Sequence, residues 1–182
     1  INALAYKTRA LMKIGDKMKT LDELIADKIL EMVQLVLLRV IKPDIHISKL
    51  DQLNSEEIEK LKQEYGIEGI ILDVDNTLRK DLQDIPKCND DWIESLRGKI
   101  KIIVLSNGID REIEEYFAKK GIDYIGFANK PLKKNFRKAC EKMDLTPDKV
   151  LVIGNSLICD IYGGKRNNMK TALVKDVEDN ER

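Results

Sequence analysis

Aromatic residues are scarce in this sequence, at 5% of 182 residues, and His46 is its single histidine. The low aromatic content argues against a surface of stacking side chains for nucleic acids. Acidic and basic residues number 32 each, so no net charge draws the chain to a polyanion. With one histidine and no cysteine–histidine cluster, zinc sites and histidine-based triads are excluded. The composition therefore points away from nucleic acid and zinc.

Cysteines and long apolar runs are also few. The cysteines are Cys88, Cys140 and Cys159. An odd number at wide spacing indicates reduced thiols in a cytosolic compartment rather than a disulfide framework. The most apolar run, residues 32–41, contains Gln34 and Arg39 and is too short to cross a bilayer. No apolar signal-peptide core is present near residue 1. We therefore predict a cytoplasmic protein.

Residues 1–42 are predicted to form an N-terminal helical extension, followed by a core domain over residues 43–182. The extension contains no proline before Pro43, and its apolar residues recur at helical spacing. Its first twenty residues carry five basic side chains and one acidic one, a pattern that can bind an anionic membrane surface. Packing against the core or another subunit is the more ordinary role of an amphipathic helix. A peripheral membrane or protein contact through this extension stays open.

The remainder alternates between short apolar runs and longer amphipathic segments. A helix is predicted over residues 55–65, with Ser55 as its cap and Gly66 at its end. Strands are predicted at Ile70–Leu72, Ile102–Leu105, Tyr124–Phe127, Val150–Ile153 and Thr171–Val174. Helical patterns separate them at Asp91–Leu96, Arg111–Lys119, Lys133–Met143 and Cys159–Asn167. Strands that alternate with helices of this length predict an α/β fold with a central parallel sheet.

Polar side chains, with two glycines among them, follow each of the first four predicted core strands. These are Asp73, Asp75, Thr77, Ser106, Asn107, Gly108, Lys130, Gly154, Asn155 and Asp160. Because the carboxyl ends of parallel strands share one edge of a sheet, these groups are expected to converge. Two carboxylates one residue apart repel each other unless a cation lies between them, and magnesium prefers oxygen ligands of this kind. A lysine, a hydroxyl and backbone N–H groups can hold a phosphoryl group.

The segment Asp73-Val74-Asp75-Asn76-Thr77-Leu78 resembles the first motif, D-x-D-x-T, of the haloacid dehalogenase superfamily of phosphatases. Ser106, Lys130 and the segment 154–160 fall where the second, third and fourth motifs of that superfamily occur. The strings RVIKPD, GIILDVDNTL, LSNG, NKP and VIGNSLICDIYGGKRNNM are most similar to the YqeG-type branch of subfamily IIIA. The resemblance covers roughly residues 39–175. It implies a Rossmann-like three-layer sandwich around the parallel sheet.

The resemblance also implies a role for each residue of the motifs. Asp73 is expected to attack phosphorus and form an aspartyl-phosphate, while Asp75 acts as general acid and then general base. Ser106 and Lys130 complete the catalytic set. The expected substrate-binding residues are Thr77, Asn107, Gly108 and Lys130, and the expected Mg²⁺ ligands are Asp73, Asp75, Asn155 and Asp160. For Asp160, bracing of Lys130 is the alternative to metal binding.

One residue departs from the pattern of the superfamily. An acid usually follows the glycine of the fourth motif, whereas this chain has Asn155. An amide oxygen can ligate magnesium, but the loss of one negative charge lowers the expected metal affinity. Whether Asn155 is natural or introduced, and how far it weakens activity, stays open. The alternative function is therefore a catalytically weakened module of this fold that binds a phosphorylated ligand or protein partner.

The spacing of the motifs bears on the substrate. Only 32 residues lie between Asp73 and Ser106, and 23 between Ser106 and Lys130, which leaves no room for an inserted cap domain. A capless site encloses a small substrate poorly, so a bulky phosphomonoester is expected. The kind of substrate, whether lipid, sugar, nucleotide or protein, stays unresolved. By resemblance to relatives of the YqeG type, the candidate is phosphatidylglycerophosphate.

Overall fold

The computed structural model describes residues 41–80 and 83–175, together with four helical residues nearer the N-terminus, Ile25, Lys28, Ile29 and Val36. Most of the predicted N-terminal extension lies outside the described residues, so its structure and its boundary at residue 42 stay predictions. The chain divides into two compact units, residues 1–39 and 40–182, and the second contains the fold described below. Among the described residues, no helix has the length and apolarity of a membrane span.

A six-stranded parallel sheet forms the centre of the fold. Its strands are β1 (Ile45–Ile47), β2 (Gly69–Leu72), β3 (Lys101–Leu105), β4 (Asp123–Ile125), β5 (Val150–Gly154) and β6 (Lys170–Val174). They lie in the order β1-β6-β5-β2-β3-β4, and every neighbouring pair is parallel. The predicted α/β fold with a central parallel sheet is confirmed.

Helices connect the strands. They are α1 (Ser55–Tyr65), α2 (Lys87–Leu96), α3 (Arg111–Lys119), α4 (Lys133–Met143) and α5 (Gly163–Lys165). Short 3₁₀ turns occur at Leu50–Gln52 and Pro147–Lys149, and a π-helical turn at Leu157–Tyr162 precedes α5. Of the described residues, α2 forms the only helix between β2 and β3, and α3 the only helix between β3 and β4.

The sheet is covered by helices on both faces because its central strands are apolar on both faces. In β2, Ile70 and Leu72 join a buried cluster that includes residues of α1, α2 and α3, such as Phe117. Ile71 joins the opposite cluster with Phe136 and other residues of α4. Each fully buried side chain of this kind contributes about 1.5–3 kcal/mol. Each cluster joins one layer of helices to one face of the sheet, which gives the three layers of the predicted sandwich.

Three local predictions need correction. Asn54, not Ser55, caps α1, because its side chain accepts hydrogen bonds from the N–H groups of Glu56 and Glu57. Strand β1 was not predicted, and the helix predicted over 159–167 is a π-helical turn followed by the single turn of α5. The strand predicted to reach Phe127 ends at Ile125, since Phe127 has a φ of 50°. Gly66 ends α1 as predicted, with a φ of 67°.

The order of the strands creates a crevice at the carboxyl ends of β2 and β5. From β2 the chain moves outward to β3 and β4, and from β5 it moves in the opposite direction to β6. Adjacent strands whose connections diverge leave an opening at their carboxyl ends, where open α/β sheets bind ligands. Asp73 directly follows β2 and Asn155 directly follows β5, so both residues lie at this crevice.

Candidate active site

Asp73 is held at the end of β2 by both its backbone and its side chain. Its N–H donates to the carbonyl of Ile153 on β5 (3.0 Å). The hydroxyl of Thr77 donates to Asp73 Oδ2 (3.0 Å) and accepts a hydrogen bond from the N–H of Asn155 (3.1 Å). Thr77 is 1% exposed, and its hydroxyl contacts Asp73 and the backbone of Asn155. Its predicted contact with a substrate stays a prediction.

Lys130 lies between two carboxylates at the bottom of the crevice. Its Nζ is 2.6 Å from Asp73 Oδ1 and 2.7 Å from Asp160 Oδ1, and the residue is 4% exposed. Burial alone would lower the pKa of Lys130, but the charges of Asp160 and Asp73 outweigh it and raise that pKa. Lys130 is therefore a permanent cation in contact with Asp73.

Asp160 faces Lys130 with both of its oxygen atoms engaged. Oδ1 bonds Lys130, and Oδ2 accepts from the N–H of Ser156 (3.0 Å). Burial raises the pKa of Asp160 above its usual range, and the charge of Lys130 offsets part of that rise. A β-carbon on Gly154 would lie 2.3 Å from the carboxyl carbon of Asp160, so only glycine leaves room for this carboxylate. Of the two predicted roles, the described contacts are those of a brace for Lys130.

Asn107 fixes the backbone of Lys130. Its Oδ1 accepts from the N–H of Lys130 (2.6 Å), and its Nδ2 donates to the carbonyl of Lys130 (3.4 Å). The Lys130–Pro131 peptide bond is cis. Asn107 was predicted to bind substrate, and that contact stays a prediction. What the structure gives is a link between the loop after β3 and the loop after β4.

Ser106 and Gly108 form a tight turn beside Asp75. The N–H of Gly108 donates to Ser106 Oγ (3.1 Å), and Ser106 is 3% exposed. A β-carbon on Gly108 would lie 3.6 Å from Ser106 Oγ and 3.7 Å from Asp75 Oδ2. The turn therefore brings the hydroxyl of Ser106 and the N–H group of Gly108 close to the carboxylate of Asp75.

Arg79 is a site residue that the sequence reasoning missed. Its Nε is 3.0 Å from Asp75 Oδ1, and one terminal nitrogen is 2.8 Å from Asp110 Oδ2. Burial alone would lower the pKa of Arg79, but its bonds with Asp110 and Asp75 outweigh it and raise that pKa. No signal in the sequence marks it, because the string Leu-Arg-Lys-Asp around it is typical of a solvated loop.

The carboxylate of Asp73 is the kind of oxygen ligand that a hard cation takes. The motif resemblance adds the backbone carbonyl of Asp75 and the amide oxygen of Asn155 as neutral donors. Within residues 41–80 and 83–175, no group of three or more acidic, histidine or cysteine side chains is placed to hold a metal. Magnesium commonly keeps several waters and takes one or two protein carboxylates, so this set suits a weakly held Mg²⁺.

The parallel sheet with a buried Asp–Lys–Asp cluster at its carboxyl edge places the protein in the class of Rossmann-like α/β proteins, whose sites lie at the carboxyl ends of the strands. A family model, haloacid dehalogenase-like hydrolase, matches residues 47–168. The chain belongs to the haloacid dehalogenase-like hydrolase family. The prediction that the protein is a phosphatase of the haloacid dehalogenase type is confirmed.

Curated relatives agree with this assignment. The chain is 37% identical over 123 residues to the "Probable phosphatase YqeG" of Bacillus subtilis, covering 65% of this chain and 70% of that protein. A shorter match, 33% over 64 residues, is to the "Glyceraldehyde 3-phosphate phosphatase" of Pyrococcus furiosus, covering 35% of this chain and 27% of that protein.

Solved structures share the fold. A hypothetical protein from Xanthomonas campestris has a TM-score of 0.52 at 16% identity, covering 68% of this chain and 71% of its own. A predicted HAD-like family hydrolase from Porphyromonas gingivalis has a TM-score of 0.50 at 13% identity, covering 62% and 93%.

Proposed function

We propose that this protein is a Mg²⁺-dependent phosphomonoester hydrolase that works through an aspartyl-phosphate on Asp73. The observation that carries the proposal is the contact of Asp73 with the buried cation Lys130 (2.6 Å). A carboxylate attacks a phosphate ester slowly because both are anionic, and a fixed ammonium beside them reduces that repulsion.

The proposed reaction has two steps. In the first, a carboxylate oxygen of Asp73 bonds phosphorus, the bond from phosphorus to the ester oxygen breaks, and Asp75 gives its proton to that oxygen. In the second, a water oxygen bonds phosphorus, the bond to Asp73 breaks, and the proton of the water passes to Asp75. Ser106 would donate its hydroxyl hydrogen to a phosphoryl oxygen. Lys130 would remain charged through both steps.

Asp73, the carbonyl of Asp75 and Asn155 are the proposed ligands of Mg²⁺, with Asp160 as a further predicted one. When bound, the ion supplies positive charge against the phosphoryl oxygens. Asn155 lacks the charge of the usual acid at this position. The alternative function, a weakened module that binds phosphorylated ligands, rests on this residue, whereas Asp73, Asp75 and Lys130 favour catalysis.

The surface around the crevice favours a bulky substrate with an apolar part. Five large apolar side chains are exposed on the loops after β3, β4 and β5: Ile109 (73%), Phe127 (63%), Leu132 (58%), Ile158 (43%) and Tyr162 (40%). We call these five residues the apolar rim.

The loops that carry the apolar rim contact one another. The N–H of Phe127 bonds the carbonyl of Gly108 (3.1 Å), and Asn107 Nδ2 lies 3.7 Å from Cys159 Sγ. Exposed Lys133 and Lys134 follow Leu132, and the guanidinium of Arg166 lies 5.3 Å from the ring centre of Tyr162. Apolar residues beside basic ones suit a phosphorylated lipid at a membrane surface, which supports phosphatidylglycerophosphate as the candidate substrate.

The test is hydrolysis of p-nitrophenyl phosphate with added Mg²⁺, with EDTA, and by the variants Asp73→Asn and Asn155→Asp. We expect magnesium-dependent turnover that Asp73→Asn abolishes. Asn155→Asp should lower the Mg²⁺ concentration at half-maximal rate by about 10-fold, since a second carboxylate joins the ligands. If Asn155→Asp also fails to turn over while binding phosphate, the weakened-module function replaces the proposed one.

A further inference from the structure

Arg79 is a buried cation that the proposed chemistry does not use. It is 5% exposed, and all three of its guanidinium nitrogens have partners. Nε bonds Asp75 Oδ1 (3.0 Å), one terminal nitrogen bonds Asp110 Oδ2 (2.8 Å), and the other donates to the carbonyl of Gln83 (3.2 Å). A side chain with this many directed bonds fixes its partners in one geometry.

The bond from Arg79 occupies only one oxygen of Asp75. Oδ1 is held by Nε, whereas Oδ2 lies toward the Ser106–Gly108 turn, 3.7 Å from where a β-carbon of Gly108 would stand. Ser106 is also the residue expected to bind the phosphoryl group. The guanidinium therefore turns the second oxygen of Asp75 toward the place where a proton must be given and taken.

Asp110 anchors the other side of the guanidinium. Its Oδ1 caps α3 by accepting from the N–H groups of Glu112 and Ile113, and its Oδ2 bonds Arg79. Asp110 is therefore fixed at the start of α3. Because Arg79 bonds both Asp110 and Asp75, it links the loop after β2 to this fixed point. A lysine could reach one of the two carboxylates but lacks the planar fork that bonds both.

We propose that Arg79 is a positioning residue that holds Asp75 in the orientation for proton transfer. This inference rests on the proposed function, because it assigns Asp75 the role of acid and base. Arg79 does not touch the phosphoryl group. It acts by fixing Oδ1 and presenting Oδ2.

The test compares Arg79→Lys and Arg79→Met with wild type on two substrates, p-nitrophenyl phosphate and glycerol 3-phosphate. A nitrophenolate leaves without a proton, whereas an alkoxide needs one, so kcat/KM for the alkyl ester reports the acid. We expect Arg79→Met to lose about 100-fold on glycerol 3-phosphate and less than about 5-fold on p-nitrophenyl phosphate, in the lower range of general acid catalysis. Arg79→Lys should shift the selectivity in the same direction but less, with about a 10-fold loss on the alkyl ester, because lysine keeps the charge without the fork.

Two further variants separate positioning from folding. Arg97→Lys is the matched control, since Arg97 pairs with Glu94 on the surface with 46% of its side chain exposed, and it should change neither substrate. Asp110→Asn keeps an oxygen that can cap α3 but loses the charge that anchors Arg79. It should shift the selectivity in the direction of Arg79→Lys. Thermal unfolding of each variant identifies the variants that are folded at the assay temperature.

A double variant gives the sharpest outcome. In an Asp75→Asn background, Arg79→Lys should cause no further loss of kcat/KM for glycerol 3-phosphate, because the group that Arg79 positions is gone. Equal losses on both substrates, a rise in KM alone, or an additive loss in the double variant would overturn the proposal. If Asp73→Asn were as active as wild type, the proposed function itself would fail, and this outcome is visible independently of Arg79.

Discussion

At the scale of single residues, the site is organised by its cations. Lys130 separates Asp73 from Asp160 at 2.6 and 2.7 Å, and Arg79 separates Asp75 from Asp110. Each cation is nearly buried. Lys130, which follows β4, bonds one acid after β2 and one after β5, and Arg79, which follows β2, bonds an acid after β3, so the two cations join the loops after β2, β3, β4 and β5. Charge balance and loop geometry therefore depend on the same side chains.

Replacing Lys130 by methionine tests the first cation. The variant leaves Asp73 and Asp160 facing each other without a counter-charge, and breaking a buried pair in this way costs about 3–5 kcal/mol of unfolding free energy. We also expect kcat/KM for p-nitrophenyl phosphate to fall by at least about 10²-fold. Urea unfolding and steady-state kinetics measure the two effects.

Lys138→Met is the control for this variant, because Lys138 is exposed on α4, the helix that follows Lys130, and has no part in the site. It should leave both the unfolding free energy and kcat/KM unchanged. A Lys130→Met protein as active as wild type would remove Lys130 from the mechanism, whatever its stability.

The sequence predicts the acids and the lysine of the site, but not the partners that orient them. Asp73, Lys130 and Asp160 stand in motifs on successive strand ends, and strand order alone brings them to one edge. Arg79 and Asp110 stand in charged loop segments, and the sequence of such a segment does not show whether its charged residues are buried in an ion pair or solvated. Their pairing depends on how two loops approach in space, which no local pattern encodes.

At the scale of elements, the same contrast applies to the start of α1. Asn54 and Ser55 are both good cap residues by type, and the sequence does not choose between them. In the fold, Asn54 Oδ1 accepts from two N–H groups at 3.0 Å, whereas Ser55 Oγ donates to the carbonyl of Ser95 (3.3 Å).

A pair of alanine variants measures this choice. Asn54→Ala should cost about 1 kcal/mol of unfolding free energy because two N–H groups of α1 lose their acceptor. Ser55→Ala should cost less, about 0.5 kcal/mol, because the half-buried hydroxyl gives up only its bonds with Ser95 and Lys99 and no N–H group of α1 loses its acceptor. Urea unfolding at pH 7 gives both values, and a larger cost for Ser55→Ala would contradict the assigned cap.

Beside its backbone pairing with β6, strand β1 is tethered to the sheet by one acid. Asp44 Oδ2 accepts from the N–H (2.8 Å) and hydroxyl (3.0 Å) of Thr171 on β6 and lies 2.6 Å from Lys165 Nζ. Three residues with mixed exposure give too short a pattern to predict a strand, so β1 emerges only from these long-range contacts.

The pH dependence of stability tests this tether. Burial alone would raise the pKa of Asp44, but its bonds with Lys165 and Thr171 outweigh it and lower that pKa. A lowered folded-state pKa gives stability that is present above the unfolded pKa of about 3.9 and is lost as pH falls through the folded value.

Asp44→Ala should therefore be less stable than wild type by about 1 kcal/mol at pH 7, a modest figure because solvent reaches the site. The difference should shrink below about pH 4. Asp91→Ala, which removes an exposed acid paired with Lys87, is the control and should show no such trend in urea unfolding. A difference that stays constant from pH 7 to pH 3 would show that the charge of Asp44 does not stabilise β1.

At the scale of the whole molecule, the two edges of the sheet differ in what they expose. The carboxyl edge carries the apolar rim around the crevice. On the opposite edge, Tyr65 at the end of α1 is exposed to 49% and its ring lies 4.6 Å from Lys170 Nζ. Isolated exposed apolar residues are ordinary on a protein surface. Several exposed apolar residues on loops that contact one another beside a charged crevice are the kind of surface that marks a binding site.

The double variant Phe127→Ser/Leu132→Ser tests whether the rim contacts the substrate. If it holds the apolar part of a lipid, kcat/KM for phosphatidylglycerophosphate in vesicles should fall about 30-fold, since each of the two lost side chains removes roughly 1 kcal/mol of contact. Hydrolysis of p-nitrophenyl phosphate should change less than about 2-fold, because the buried cluster around Lys130 is untouched.

Tyr65→Ser is the matched control, since it removes an exposed aromatic side chain from the other edge, and it should affect neither substrate. The effect of the double variant distinguishes the candidate substrates. Only a lipid has acyl chains that can contact the rim, whereas a sugar phosphate or a nucleotide has none. Equal activity of the double variant and wild type on vesicles would remove the lipid as the candidate while leaving the phosphatase chemistry of the crevice in place. The rim would then have to be explained by a protein surface, and a phosphoprotein would become the next substrate to assay.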